Sequence, residues 1–188
     1  MSKDVSAGSA GSTTLGQLAL GLTLLAFGIG ATGVVDNVAA ADASAVATWV
    51  GGVALFIAGL LAFRDRDTGT GTAFAGLGAF WFTWGTAVGE VRSAEAAGLF
   101  ALLWALLALS LTAGAARGSL VQGAYGLLAV AMALTGIGAL ADSGGLGEAG
   151  GWVAVAAGLA SWYGATAVLA DLPTFEGRAA GRGVTATG

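Results

Sequence analysis

The sequence predicts an all-α, polytopic membrane protein: six transmembrane helices in one bundle around a narrow pore, with both termini cytoplasmic. Three observations predict it. The 188-residue chain is 56% hydrophobic and only 10% charged, with a mean hydropathy of +0.84; a soluble domain carries about 25% charged residues. Six apolar stretches lie between the charged positions, each near the about 20 residues that a helix needs to cross the hydrocarbon. The positive charges divide unevenly between alternate connections.

In chain order, Met1 to Thr14 is rich in Ser, Gly, Ala and Thr and reads as a flexible cytoplasmic tail. Residues 15–170 form the expected six-helix channel domain. Its spans are Leu15–Val35, Ala45–Phe63, Thr70–Val88, Ala96–Ala116, Leu120–Ala141 and Gly151–Ala170. Residues 171–188 form a second cytoplasmic tail. Ala39-Ala40-Ala41 imitates a signal-peptidase site, but the preceding apolar run is longer than the about 7–15 residues of a signal core, so it reads as a retained span.

Short connections are where the bias of Lys and Arg toward the cytoplasm is strongest. Lys3, Arg64, Arg66, Arg117, Arg178 and Arg182 fall on one side and Arg92 alone on the other, with Asp36, Asp42, Glu90, Glu95, Asp142 and Glu148. The split places both termini inside and requires an even number of spans. Arg64 and Arg66 read as topology anchors, with Asp65 and Asp67 as solvated companions.

The 34 glycines, many inside spans, let helices approach closely in lipid. Small residues four apart, as at Ala26 and Gly30, Gly85 and Gly89, and Gly114 and Gly118, are candidate packing positions. Trp49 and Trp152 lie near span ends, as an interfacial belt predicts; Trp81, Trp84 and Trp104 fall deeper.

The chemistry open to such a chain is narrow. There is no Cys and no His, hence no thiolate, imidazole metal ligand or histidine base. No ionisable group is expected within a span, which argues against an enzyme, a metal site or a lysine-bound chromophore. Nothing forms a basic patch for nucleic acid. No cofactor is expected, and membrane lipid is the expected surroundings. The spans offer hydroxyls and amides, among them Gln17, Thr23, Thr135 and Ser161. Most would bond back to their own helix; those facing a cavity would make a weakly polar path.

One stretch goes further. Ala58-Gly59-Leu60-Leu61-Ala62-Phe63-Arg64 closes the second span. A short charged loop leads to Gly69-Thr70-Gly71-Thr72-Ala73-Phe74 and then Gly78-Ala79-Phe80-Trp81-Phe82-Thr83. This resembles the acetate uptake transporter family of the YaaH or SatP type, with further echoes at Leu15-Gly16, Gly21, Leu103-Trp104, Ile137-Gly138 and Gly151-Trp152. The resemblance implies a homohexamer in the plasma membrane with one pore per subunit, passing acetate and similar small monocarboxylates, with the proton-linked uptake described for some members. It implies a constriction built here from Leu20, Leu77 and Leu128, with Thr23, Phe74 and Trp81 lining the pore. Where the family carries a second Thr and an Asn in the first span, this chain has Leu24 and Gly28. An all-aliphatic ring with fewer donors suits a protonated, neutral acid. A pore for a small neutral solute (urea, a short amide or ammonia) and a non-transporting accessory membrane protein are the alternatives.

Overall fold

The computed structural model describes residues 2–87 and 93–173, with side chains from Gly11 onward. Every regular element among them is helical. We number six helices: α1 (Ser2–Thr32), α2 (Ala40–Arg64), α3 (Thr68–Ala87), α4 (Ala94–Gly114), α5 (Leu120–Leu140) and α6 (Gly144–Leu169). Neighbours in sequence pack side by side, and α1 packs extensively on α6, closing the sequence into a ring. The seam between α3 and α4 is thin.

Five helices, Gly11–Thr32 of α1 together with α2, α4, α5 and α6, are long and apolar enough to cross a membrane. The sixth expected span, α3, has the length at 20 residues, but its Thr, Gly and Trp content keeps it below that apolarity. Its buried side chains, among them Phe74, Leu77, Phe80 and Trp81, form much of the core instead.

The boundaries depart most from the sequence reading at the starts of α1 and α6. Helix α1 already begins at Ser2, inside the stretch read as a tail. Ser12 and Thr14 in that stretch are buried, and the Ser12 hydroxyl donates to Asp65 Oδ2 at 3.2 Å. Helix α6 begins at Gly144, so Glu148 lies on the helix, exposed in its early turns rather than in a loop. The end of the chain from residue 174 lies outside the described residues.

Helix ends are closed by local chemistry. The Asp67 carboxylate accepts from the Thr70 N–H at 3.0 Å at the start of α3, and Ser93 and Ser119 cap α4 and α5. Asp65 and Asp67 are therefore structural acceptors, not free companions of the arginines; Arg64 makes only a 4.0 Å ion pair with Asp65. Helices α2, α5 and α6 each end on a left-handed residue, Arg66, Asp142 and Asp171. In each case a following N–H returns to the helix: Asp67 to the Ala62 carbonyl, Ser143 to Gly138 and Leu172 to Ala167.

Glycine does set the packing, but at a spacing of seven rather than four. On α3, Gly71, Gly78 and Gly85 all face α2. A Cβ on Gly78 would lie 2.8 Å from the Phe56 nitrogen, and one on Gly85 2.3 Å from Thr48 Oγ1. On the α1–α6 seam, Gly21 and Gly28 meet the segment around Gly151 and Gly158 just as closely. Gly98 of α4 and Gly136 of α5 face each other, each blocked at 2.8 Å by the other's carbonyl oxygen. A seven-residue repeat keeps contacts on one face of helices crossing at a shallow angle. Of the pairs expected at four, Gly114 and Gly118 have open space around them, Gly30 abuts the Ala39–Ala40 backbone, and Gly89 lies outside the described residues.

Helix α2 is not uniform. Residues Ala47–Ala54 are wound as a π-helix, wider than the α-helix on either side. Gly51 and Gly52 sit in this wide stretch. A Cβ on Gly51 would meet Thr23 at 2.6 Å and the Trp81 ring at 2.9 Å; one on Gly52 would meet the Phe82 backbone at 2.9 Å.

Candidate functional site

All six candidate residues are buried: Leu20 and Leu77 completely, Leu128, Thr23, Phe74 and Trp81 to within 2% exposure. Leu20, Leu77, Leu128, Phe74 and Trp81 belong to one continuous core. The Phe74 ring rests where a Cβ on Gly16 would be, so Gly16 is needed to seat it. Thr23 and Trp81 converge on Gly51 from α1 and α3. The Thr23 hydroxyl donates to the Ala19 carbonyl at 2.8 Å, along its own helix. Thr48, Thr86, Ser110 and Thr112 bond back in the same way.

Cavities flank this core at both ends. The largest, about 470 Å³, lies toward the Trp84 end of the ring. Its walls come from α1, α3, α4, α5 and α6 and include Leu24, Phe27, Trp81, Trp84, Phe100 and Leu128. None of its lining residues is ionisable. Toward the Arg64 end lie two smaller spaces. One, about 190 Å³, is lined by Thr13, Thr14, Gln17 and residues of α5 and α6. The other, about 350 Å³, lies between the start of α3, the end of α4 and the start of α5, with Thr70, Ser119 and Tyr125 on its walls.

Two of the candidate leucines, Leu20 and Leu77, fall between these spaces on their helices, and Leu128 lines the upper one. On α1, Gln17 lines one space and Leu24 the other, with Leu20 between them. On α3, Ala73 and Phe80 are the lining residues and Leu77 lies between. On α5, Tyr125 lines the lower space and Leu128, one turn on, the upper. On α1 and α3 the lining residues are seven apart, about 10 Å along the helix, and this buried stretch, with Leu128 at its edge, is the leucine layer.

Polar groups cluster below this layer. Gln17 and Ser161, both buried, tie α1 to α6: the Ser161 hydroxyl donates to the Gln17 side-chain oxygen and approaches the Gln17 carbonyl oxygen at 3.2 Å. Above the layer, aromatic rings meet edge to face, Trp81 with Phe27 at 5.6 Å and with Phe80 at 4.8 Å. Phe80 stacks on Phe100 at 5.5 Å, joining α3 to α4 across the thin seam. Among the described residues, no group of three His, Cys, Asp or Glu comes together.

Leu24, Phe27, Trp84, Phe100 and Tyr125 were not identified as site residues from sequence. A signal existed for four of them: Leu24, Phe27, Trp84 and Tyr125 each lie three or four residues from a candidate on the same helix, whereas Phe100 enters only by stacking on Phe80. Gly28, where the resembled family has Asn, has no room for a side chain, because a Cβ there would lie 2.8 Å from both the Gly151 carbonyl oxygen and Val155.

Apolar helices in a closed sequence around a cavity-flanked core define a multi-pass membrane protein. The sequence profile described as the GPR1/FUN34/yaaH family matches residues 3–174, and the chain belongs to that family. Among similar proteins is the succinate-acetate/proton symporter SatP of Escherichia coli K12, 28% identical over 127 residues, covering 63% of this chain and 68% of that protein. The Shigella flexneri protein of the same name is similar to the same extent. The structure of the bacterial acetate channel SatP superimposes with a TM-score of 0.77 at 24% identity, covering 85% of this chain and 92% of that one.

Proposed function

We propose that this protein is a membrane channel or transporter for acetate and similar small monocarboxylates. What supports the reading is that Leu20 and Leu77 are fully buried between an apolar cavity, which Leu128 lines, and polar-walled spaces at the other end; we read the three leucines as one gate. An aliphatic layer between two cavities closes a path by excluding water and opens by small side-chain movements. The names of its relatives, symporter and channel, supply the substrate class. Thr23, Phe74 and Trp81 then line the path beside the leucine gate.

The absence of any ionisable residue on the large cavity favours passage of the protonated acid, because a carboxylate without a counter-charge is costly to bury. The same observation supports the second reading, a pore for a small neutral solute. In this proposal the Arg64 end faces the cytoplasm, both termini are inside, residues 1–14 and 171–188 flank the channel domain 15–170, and six copies assemble in the plasma membrane.

The test is uptake of labelled acetate into proteoliposomes, with labelled urea in parallel. Acetate uptake should exceed that of empty liposomes, rise as external pH falls toward the acid's pKa, and fall about tenfold or more in Leu77→Trp, which overfills the layer. Urea flux without acetate flux would replace this reading with the neutral-solute pore. Absence of both would leave an accessory protein.

A further inference from the structure

We propose that the large cavity is a binding site for monocarboxylic acids with a bulky apolar tail, aryl or medium-chain, which enter from the Trp84 end, are held there in protonated form, and block the path because they cannot pass the leucine layer. The proposal rests on the reading of this chain as a monocarboxylate path and extends it to ligands that are not carried.

Two observations point to a ligand. The Trp81 indole N–H and the Thr135 hydroxyl are both buried without a hydrogen-bond partner, and both residues line this cavity. A buried polar group left unpaired costs about 1–3 kcal/mol, so a ligand that reached these two groups from the cavity would recover that cost. Trp81 is held in place for this role: its ring is edged by Phe27, Phe80 and Trp84, which line the same space. An indole can only donate, whereas a threonine hydroxyl can donate and accept. A carboxylic acid offers both a carbonyl oxygen and an O–H.

Size and wall chemistry set the rest of the ligand. At about 470 Å³ the cavity falls within the range that takes molecules far larger than acetate. Its walls are mostly Ala, Leu, Met and aromatic rings, which suit a hydrocarbon or aryl tail. Without a cation on the wall, the neutral acid is the form that binds. Beyond Leu128, the fully buried Leu20 and Leu77 leave no space for the tail.

The experiment is equilibrium binding of labelled phenylacetic acid to the purified full-length protein in detergent, from pH 4.5 to 7.5. Phenylacetamide and toluene serve as comparison ligands. Acid binding should weaken as pH rises above the ligand's pKa, whereas the amide, neutral throughout, should bind independently of pH. Trp81→Phe, which keeps a ring and removes the donor, and Thr135→Val should each weaken acid binding about tenfold while toluene binding holds. Equal acid binding by wild type and both variants, or toluene binding as tight as the acid, would overturn the proposal. In proteoliposomes, external phenylacetic acid should inhibit acetate uptake without itself being accumulated; its accumulation would refute the blocking role. Acetate flux without phenylacetic acid binding would sink this site alone. Binding without any acetate flux would sink the transport reading and leave the site standing.

Discussion

At the residue scale, the most informative pair is Gln17 and Ser161. Both are buried, and the serine hydroxyl is placed to satisfy the amide oxygen across the α1–α6 seam. Ser161→Ala removes the donor and leaves a buried acceptor unpaired, which costs about 1–3 kcal/mol. The variant should melt at lower temperature in detergent; an unchanged melting curve would mean that water or another group already satisfies Gln17. The sequence exposed these residues only as two among many span hydroxyls and amides. Composition says that a polar group is present but not which neighbour it finds. Trp81 is the converse: its place in a Gly-x-Phe-Trp stretch was visible, while its unpaired indole is a property of packing alone.

At the element scale, helix positions were legible because an apolar run of fixed length leaves little choice. Their contacts were less legible. Close spacings of four catch the eye in a glycine-rich chain, yet the α2–α3 seam is set by Gly71, Gly78 and Gly85, seven apart. Helix α2 answers with Gly52 and Gly59, also seven apart and also against α3, but in a chain with 34 glycines this spacing does not stand out from the others. Gly78→Leu would drive a side chain into the Phe56 backbone and separate α2 from α3. A loss of about 1–3 kcal/mol or more is expected, read as a lower melting temperature and faster proteolysis. Gly114→Leu, with nothing within 4 Å of its added Cβ, is the matched control and should be close to wild type. A similar loss in both would show that the helices care about glycine for some reason other than contact.

At the scale of the whole molecule, the ring of six helices follows from short connections and alternating direction, both readable from sequence. Leu20, Leu77 and Leu128 could be singled out only through resemblance, since no composition or period distinguishes them from the other span leucines; the structure places all three in the buried core. The orientation that the uneven division of cations predicts is open to a direct test, because the chain contains no cysteine. Single substitutions Ala116→Cys and Asp36→Cys, both at exposed connections, should react oppositely with an impermeant maleimide applied outside intact cells. Asp36→Cys should label and Ala116→Cys should not until the membrane is permeabilised; the reverse pattern would invert the topology, and equal labelling would break the six-span count.

The π-wound stretch Ala47–Ala54 makes α2 two shafts joined by a slipping coupling. Each hydrogen bond there spans five residues instead of four, so returning one turn to α-helical pitch rotates one shaft against the other by about 100° and shifts it by about 1.5 Å. Such a step trades one set of backbone bonds for another and needs no unfolding. Because Gly51 abuts Thr23 and the Trp81 ring at the coupling itself, any such slip would be felt first by the indole at the mouth of the leucine layer.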